Sequence, residues 1–292
     1  MKKVIIIIVL ILLFLTGLSI LLYPVVSDYV NSLSHARVIS RFNQDLAKLS
    51  EEDYSGLLEA AREYNERLAK KPNRFYMNED ELAEYYSMLD FTGRGVIGTI
   101  EIPTIKAKLP IYLGTKESVL QVGLGHLEGS SLPIGGLGTH SVVSGHRGLP
   151  SSSLLTSADE LEIGDVFILK ILKETLVYEI DQIKKVDPGD FTYLGIDPEM
   201  DYCTLLTCTP YGINSHRLLL RGHRVFPEDD GEEQIIIGNN IILRSEARRL
   251  GIIAEYIIAA IPVLVVLMIY MVAKYIKTKV ESKKSMKSKG RR

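Results

Sequence analysis

Residues 202–222 read YCTLLTCTPYGINSHRLLLRG. Two short apolar and β-branched runs, Tyr202–Thr207 and His216–Gly222, flank a Thr209-Pro210-Tyr211-Gly212 turn, the pattern of two strands joined by a loop. Successive side chains of a strand face opposite ways. Cys203 therefore shares a face with Leu205 and Thr207, whereas Cys208 points the other way at the strand end. The two thiols are too few for a disulfide framework and are not expected to bridge within one strand. Cys203 reads as core packing, and Cys208, beside a loop, as accessible. On the second strand the same alternation puts Arg217, Leu219 and Arg221 on one face.

The texture of this segment begins at Gly95. Further strands are expected at Val96–Ile102, Lys106–Leu113, His140–Ser144, Val166–Leu172 and Leu176–Lys185, with a glycine-rich loop at 129–139. That loop lacks the Lys-Ser/Thr of a phosphate-binding loop. Many short strands in about 130 residues predict a closed or nearly closed barrel, and so a mainly β fold. Upstream, Phe42, Leu46 and Leu49, then Leu57, Leu58, Ala61, Tyr64 and Leu68, recur at helical spacing, with Ser50 and Asp53 as a cap between the two halves. A second short helix is expected after Asn78, with Glu81 as its reciprocal capping partner and Leu82, Tyr85, Tyr86 and Leu89 as its apolar stripe.

The ends have another character. Residues 4–22, VIIIIVLILLFLTGLSILL, carry no charge; as a helix they reach roughly 28 Å, about the hydrocarbon thickness of a bilayer. A cleaved signal peptide would have a shorter apolar core and a small-residue cleavage site, so an uncleaved anchor is expected. Residues 251–273, GIIAEYIIAAIPVLVVLMIYMVA, form a second expected span. Lys2 and Lys3 precede the first, and nine basic residues against Glu281 follow the second, so both termini are expected in the cytoplasm. Although the whole chain has a net charge of −2, residues 4–273 hold 23 basic and 35 acidic residues. An acidic body excludes a nucleic-acid binder driven by phosphate neutralisation. The expected organisation is an anchor at 1–27, a helical neck at 28–90, a barrel at 91–228, a linker at 229–250, a second span at 251–273 and a basic tail at 274–292.

His146 lies in Ser144-Gly145-His146-Arg147-Gly148, a strand end followed by a glycine-flanked turn that lets a substrate backbone approach. His140 and His146 match no common zinc spacing. A thiol, an imidazole and a cation together suit acyl transfer: the thiolate attacks a carbonyl, the imidazole carries the proton to the leaving amine, and the cation stabilises the oxyanion. Cys and His alone are weakly specific, and a membrane-tethered scaffold with a buried Cys208 is the reading from another class.

Three motifs add context. Thr204-Leu205-Leu206-Thr207-Cys208 resembles the Thr-Leu-x-Thr-Cys signature of sortases, the cysteine transpeptidases of Gram-positive cell surfaces. The segment Ser144–Gly148 resembles their histidine loop, and 209–217 the segment leading to their arginine. The neck, Pro-Tyr-Gly after the cysteine and a C-terminal span resemble class C, the pilus-assembling sortases. The resemblance implies an eight-stranded sortase barrel with Cys208 as nucleophile, His146 as acid and base, and Arg217 as oxyanion stabiliser. It implies no cofactor and no metal. It implies cleavage of a Leu-Pro-x-Thr-Gly-like signal between Thr and Gly, followed by transfer to a lysine of the next pilin. The implied partners are pilin subunits and the lipid bilayer, not nucleic acid, and the implied state is monomeric with the catalytic body outside the cell membrane. A housekeeping enzyme that anchors proteins to peptidoglycan is the runner-up. One departure stands out: class C enzymes usually carry an Asp-Pro-aromatic lid upstream of the barrel, whereas this chain has Pro72-Asn73-Arg74-Phe75-Tyr76 there. A lid, if present, would use Phe75 or Tyr76 without an acidic anchor.

Overall fold

Eight strands close into a barrel in a computed structural model of the protein. The model describes residues 2–226 together with 236–237, 240–241 and 274. The expected span at 251–273, nearly all of the tail and most of the linker lie outside the described residues.

The strands are β1 (Val96–Ile102), β2 (Ala107–Leu113), β3 (Leu124–His126), β4 (Thr139–Ser144), β5 (Val166–Ile171), β6 (Glu174–Val186), β7 (Asp201–Thr209) and β8 (His216–Val225). Seven were expected, most within two or three residues of these bounds; β3, three residues long with a histidine in it, offers too short a period to read. The strands close in the order β1-β2-β3-β4-β7-β8-β6-β5, and neighbours pair antiparallel except β2 with β3 and β4 with β7. The first five residues of β7 are all buried; from Leu205 on the period of two shows, with Leu205 and Thr207 buried and Leu206 and Cys208 partly exposed. The interior is filled by Ile97, Ile100, Ile111, Leu124, Phe167, Leu169, Leu205 and Leu220, all fully buried. Truncating one of these to Ala would cost about 2–5 kcal/mol.

Helix α1 runs Lys2–Leu46 without interruption, with Pro24 inside it, and its first half is apolar enough to cross a membrane. The described residues fall into two compact units, the start of α1 up to residue 29 and the body from residue 30 onward. In the second unit, α2 (Glu51–Ala69) starts at Ser50, whose side chain accepts from the Asp53 amide. Helix α3 (Glu79–Ser87) starts with the full capping box of Asn78 and Glu81. Each cap satisfies amides that the first turn leaves unpaired. The apolar faces of α2 and α3 join the barrel core through Leu58, Ala61, Tyr64, Leu68, Tyr85 and Leu89. Polar contacts fix the docking: Asn65 donates to the Leu132 carbonyl and accepts from its amide, at 3.0 and 2.7 Å. The Tyr85 hydroxyl lies 2.9 Å from the Gly114 amide and 3.0 Å from Nδ1 of His126.

Candidate active site

The parallel pairing of β4 with β7 and the antiparallel pairing of β7 with β8 determine which residues come to one end of the barrel. Cys208 and Arg217 are cross-strand partners on β7 and β8. On the other side of β7, Ser144 pairs with Leu206, the Gly145 amide donates to the Leu206 carbonyl at 3.0 Å, and Thr207 Oγ1 donates to the Gly145 carbonyl at 2.8 Å. His146 follows Gly145 as Cys208 follows Thr207, so the histidine and the cysteine leave the ladder at the same level. Gly145 sits close against two leucines: a Cβ would lie 2.3 Å from Leu124 Cδ2 and 3.0 Å from Leu155 Cδ1, so a larger residue here would have to displace both side chains.

The loop after β4 is tied to the loop after Cys208 by Arg147. Its guanidinium is nearly buried. It donates to the Thr156 carbonyl at 3.0 Å and to Thr209 Oγ1 at 3.4 Å, and it pairs with Asp159 at 2.5 Å. Tyr211 lies over it and packs against Gly148, which holds a positive φ of 84°. The Thr209–Pro210 peptide is cis. The turn then closes through the Asn214 amide onto the Pro210 carbonyl at 2.9 Å, with Asn214 in the left-handed region.

The histidines divide sharply. His126 and His140 are buried and bonded, His140 to the Gly195 carbonyl and to Thr204 Oγ1 at 2.7 Å each, and burial lowers both to about 4. They are neutral structural groups, and His140 has no ring nitrogen left to share with His146. The His146 side chain keeps 26% exposure, and its Nε2 lies 3.2 Å from Oε1 of Glu117. Cys203 is fully buried, and burial pushes its thiol well up; Cys208 is a free, partly exposed thiol. Arg217 Nη1 donates to the Asn214 and His216 carbonyls, both at 3.2 Å, and has no acidic partner among the described residues. Arg221, on the same face, is paired with Asp181 at 2.8 Å.

The structure separates the two aromatics singled out upstream of the barrel. Tyr76 is 78% exposed. Phe75 stacks on Phe191 of the β6–β7 loop, centroids 4.3 Å apart, and packs with Leu127 and Leu206 against Val142, Val186, Leu194 and Leu219. Leu206 is two residues from Cys208 on the same face of β7. Arg74 is nearly buried and donates to the Leu194 carbonyl; burial lowers its pKa to about 10. Gly129 makes this approach possible, since a Cβ there would lie 2.4 Å from the Arg74 carbonyl. Glu117 and the clasp made by Arg147 were not legible in the sequence. Glu117 is 29 residues from His146 and sits in no motif, and only the fold brings the two together.

A family model described as a sortase domain matches residues 100–225. Among curated proteins, Sortase D of Bacillus subtilis (strain 168) is 34% identical over 131 residues, covering 44% of this chain and 63% of that protein. This chain thus spans less than two thirds of that relative. Among solved structures, sortase C1 of Streptococcus agalactiae is 48% identical with a TM-score of 0.63, over 65% of this chain and 98% of that one. Sortase C of Streptococcus pneumoniae, whose structure was described in connection with pilin substrate specificity, is 42% identical with a TM-score of 0.59, over 65% and 97%.

Proposed function

The chain belongs to the sortase family, and from that premise we propose that it is a membrane-anchored cysteine transpeptidase that polymerises pilins. The observation that carries the reading is the convergence of His146, Cys208 and Arg217 at one end of the barrel, through the β4–β7 and β7–β8 pairings. Cys208 is the nucleophile. Its sulfur attacks the threonine carbonyl of a Leu-Pro-x-Thr-Gly-like signal, and its proton passes to His146. Arg217 faces the oxyanion of the tetrahedral intermediate, where a planar multi-donor cation is worth more than in water. Collapse breaks the Thr–Gly bond, and His146 returns the proton to the departing glycine amine. A lysine amine of the next pilin then attacks the thioester, loses its proton to His146 and restores the thiol, leaving an isopeptide bond. Cysteine, imidazole and guanidinium supply every group the two steps require.

The apolar helix at the N-terminus supports membrane anchoring, with the barrel outside and both termini inside. The pilus role is supported by the docked neck and by the likeness to the two streptococcal sortases C. The departure at the lid matters for regulation. Arg74 cannot stand in for a carboxylate facing Arg217, and it turns instead to the Leu194 carbonyl. Phe75 therefore covers the outer face beside Leu206 by apolar contact, without an ionic latch, and the enzyme is expected to be partly active as made.

The test is incubation of the full chain in detergent micelles with purified candidate pilins, read on a denaturing gel. Ladders of covalent multimers are expected, and none with Cys208→Ala. Single-step transfer of the same proteins to peptidoglycan fragments, without ladders, would contradict the pilus role.

A further inference from the structure

We propose that Glu117 is a positioning residue for His146, orienting the imidazole and balancing its charge when it carries the thiol proton. The inference rests on the role given to His146 above. Glu117 opens a one-turn helix, α4 (Glu117–Leu120), between β2 and β3, and its Oε1 lies 3.2 Å from Nε2 of His146. The Glu117 side chain is 68% exposed, and close packing holds the helix that carries it. Gly125 of β3 has no room for a Cβ, which would fall 2.3 Å from the Gly114 carbonyl and 3.2 Å from Leu120 of α4. Leu124, one residue earlier, occupies the space where Gly145 would carry a Cβ. Helix α4, strand β3 and the backbone leading into His146 thus form one packed unit. Gln121, one turn along, also donates to Oε1. These two bonds, Gln121 first, hold the Glu117 carboxyl below the usual range, so it is an acceptor at neutral pH.

A carboxylate can only accept. Facing Nε2, it keeps the proton on that nitrogen and leaves Nδ1 as the atom that exchanges a proton with the thiol. Once the imidazole is protonated, the Glu117 carboxylate offsets its charge, while Cys208 lies level with His146 on the neighbouring strand and Arg217 across from Cys208 on the next. A base oriented by a third group is the general arrangement for an activated nucleophile. The other charged groups at this end are occupied elsewhere. Arg147 pairs with Asp159, and Lys116 lies over the Tyr86 ring.

The test uses the full chain in detergent micelles with isotopically labelled histidine rings, comparing wild type with Glu117→Gln. Glutamine keeps the shape and loses the charge. In alkaline buffer the ring nitrogens of His146 are expected to report the proton held on Nε2 in the wild type and a mixture of the two tautomers in Glu117→Gln, while the buried His126 and His140 keep their ring shifts. On a sorting-signal peptide, kcat is expected to fall about 3–10-fold with KM unchanged. Unchanged His146 ring shifts would overturn the proposal. The spectra read this contact even if Cys208 forms no acyl intermediate, so the two readings fail separately.

Discussion

Cys203 and Cys208 lie on one strand, five residues apart, and have nothing else in common. Cys203 faces the barrel interior with Leu205, and burial raises its thiol beyond use at neutral pH. Cys208 faces outward at the strand end, across from Arg217 and level with His146. The histidines repeat the division, with His126 and His140 inside and neutral and His146 at the rim. The period of two thus puts structural and chemical copies of the same residue type side by side. What makes one chemical is its level along the strand, where the ladder opens into loops.

The sharpest way to break this comparison is to truncate each thiol. Cys208→Ala is expected to abolish polymerisation. Cys203→Ala should keep most of it at a stability cost of about 1 kcal/mol, both read from pilin ladders and urea midpoints. Loss of activity in Cys203→Ala at unchanged stability would reverse the assignment. Next in size, His146→Ala should slow turnover by ~10²–10⁴-fold, the usual share of a proton carrier. Arg217→Lys, which keeps charge but loses the planar fork, should lose at least ~10-fold. Near-normal turnover of the lysine variant would mean charge alone suffices.

The buried histidines give a prediction with a definite sign. Their folded pKa values of about 4 lie below the ordinary 6.5. Between those values the unfolded chain binds protons that the folded chain excludes, so stability present above pH 6.5 is lost as pH falls toward 4. Each contributes up to ~3 kcal/mol. Urea midpoints of the full chain at pH 7.5 and 4.5 read the loss, and replacing His140 by Asn should reduce it, leaving the share of His126. A flat profile in the native sequence would show that these rings are not held neutral.

The smallest effect concerns the segment without an ionic latch. Phe75→Ala removes the stack on Phe191, and the rate of Cys208 alkylation should change less than ~10-fold, corresponding to about 1.4 kcal/mol of closure. Acceleration of about a hundredfold or more would show a tight lid.

The barrel was legible because alternation and turn residues mark strands one at a time, and the caps at Ser50 and Asn78 marked two helix starts with their partners. Short β3 was not, because three residues carry no period. Glu117 escaped for a different reason. Its contact with His146 exists only after β3 is inserted between β2 and β4, so no local pattern could announce it. Arg147 was visible in the histidine motif, but its clasp on Thr209 depends on the parallel pairing of β4 and β7, which sequence alternation does not specify. The separation of Phe75 from Tyr76 likewise depends on Gly129, whose missing Cβ admits the Arg74 carbonyl.

The most direct test of the central claim is to trap the acyl-enzyme. The full chain in detergent would be mixed with a Leu-Pro-x-Thr-Gly peptide at mildly acidic pH, digested, and mapped by mass spectrometry. A hydroxylamine-sensitive adduct of the peptide through its threonine, carried on Cys208 alone, is the predicted result. An adduct on Cys203, or peptide cleavage with no thioester on either cysteine, would contradict it.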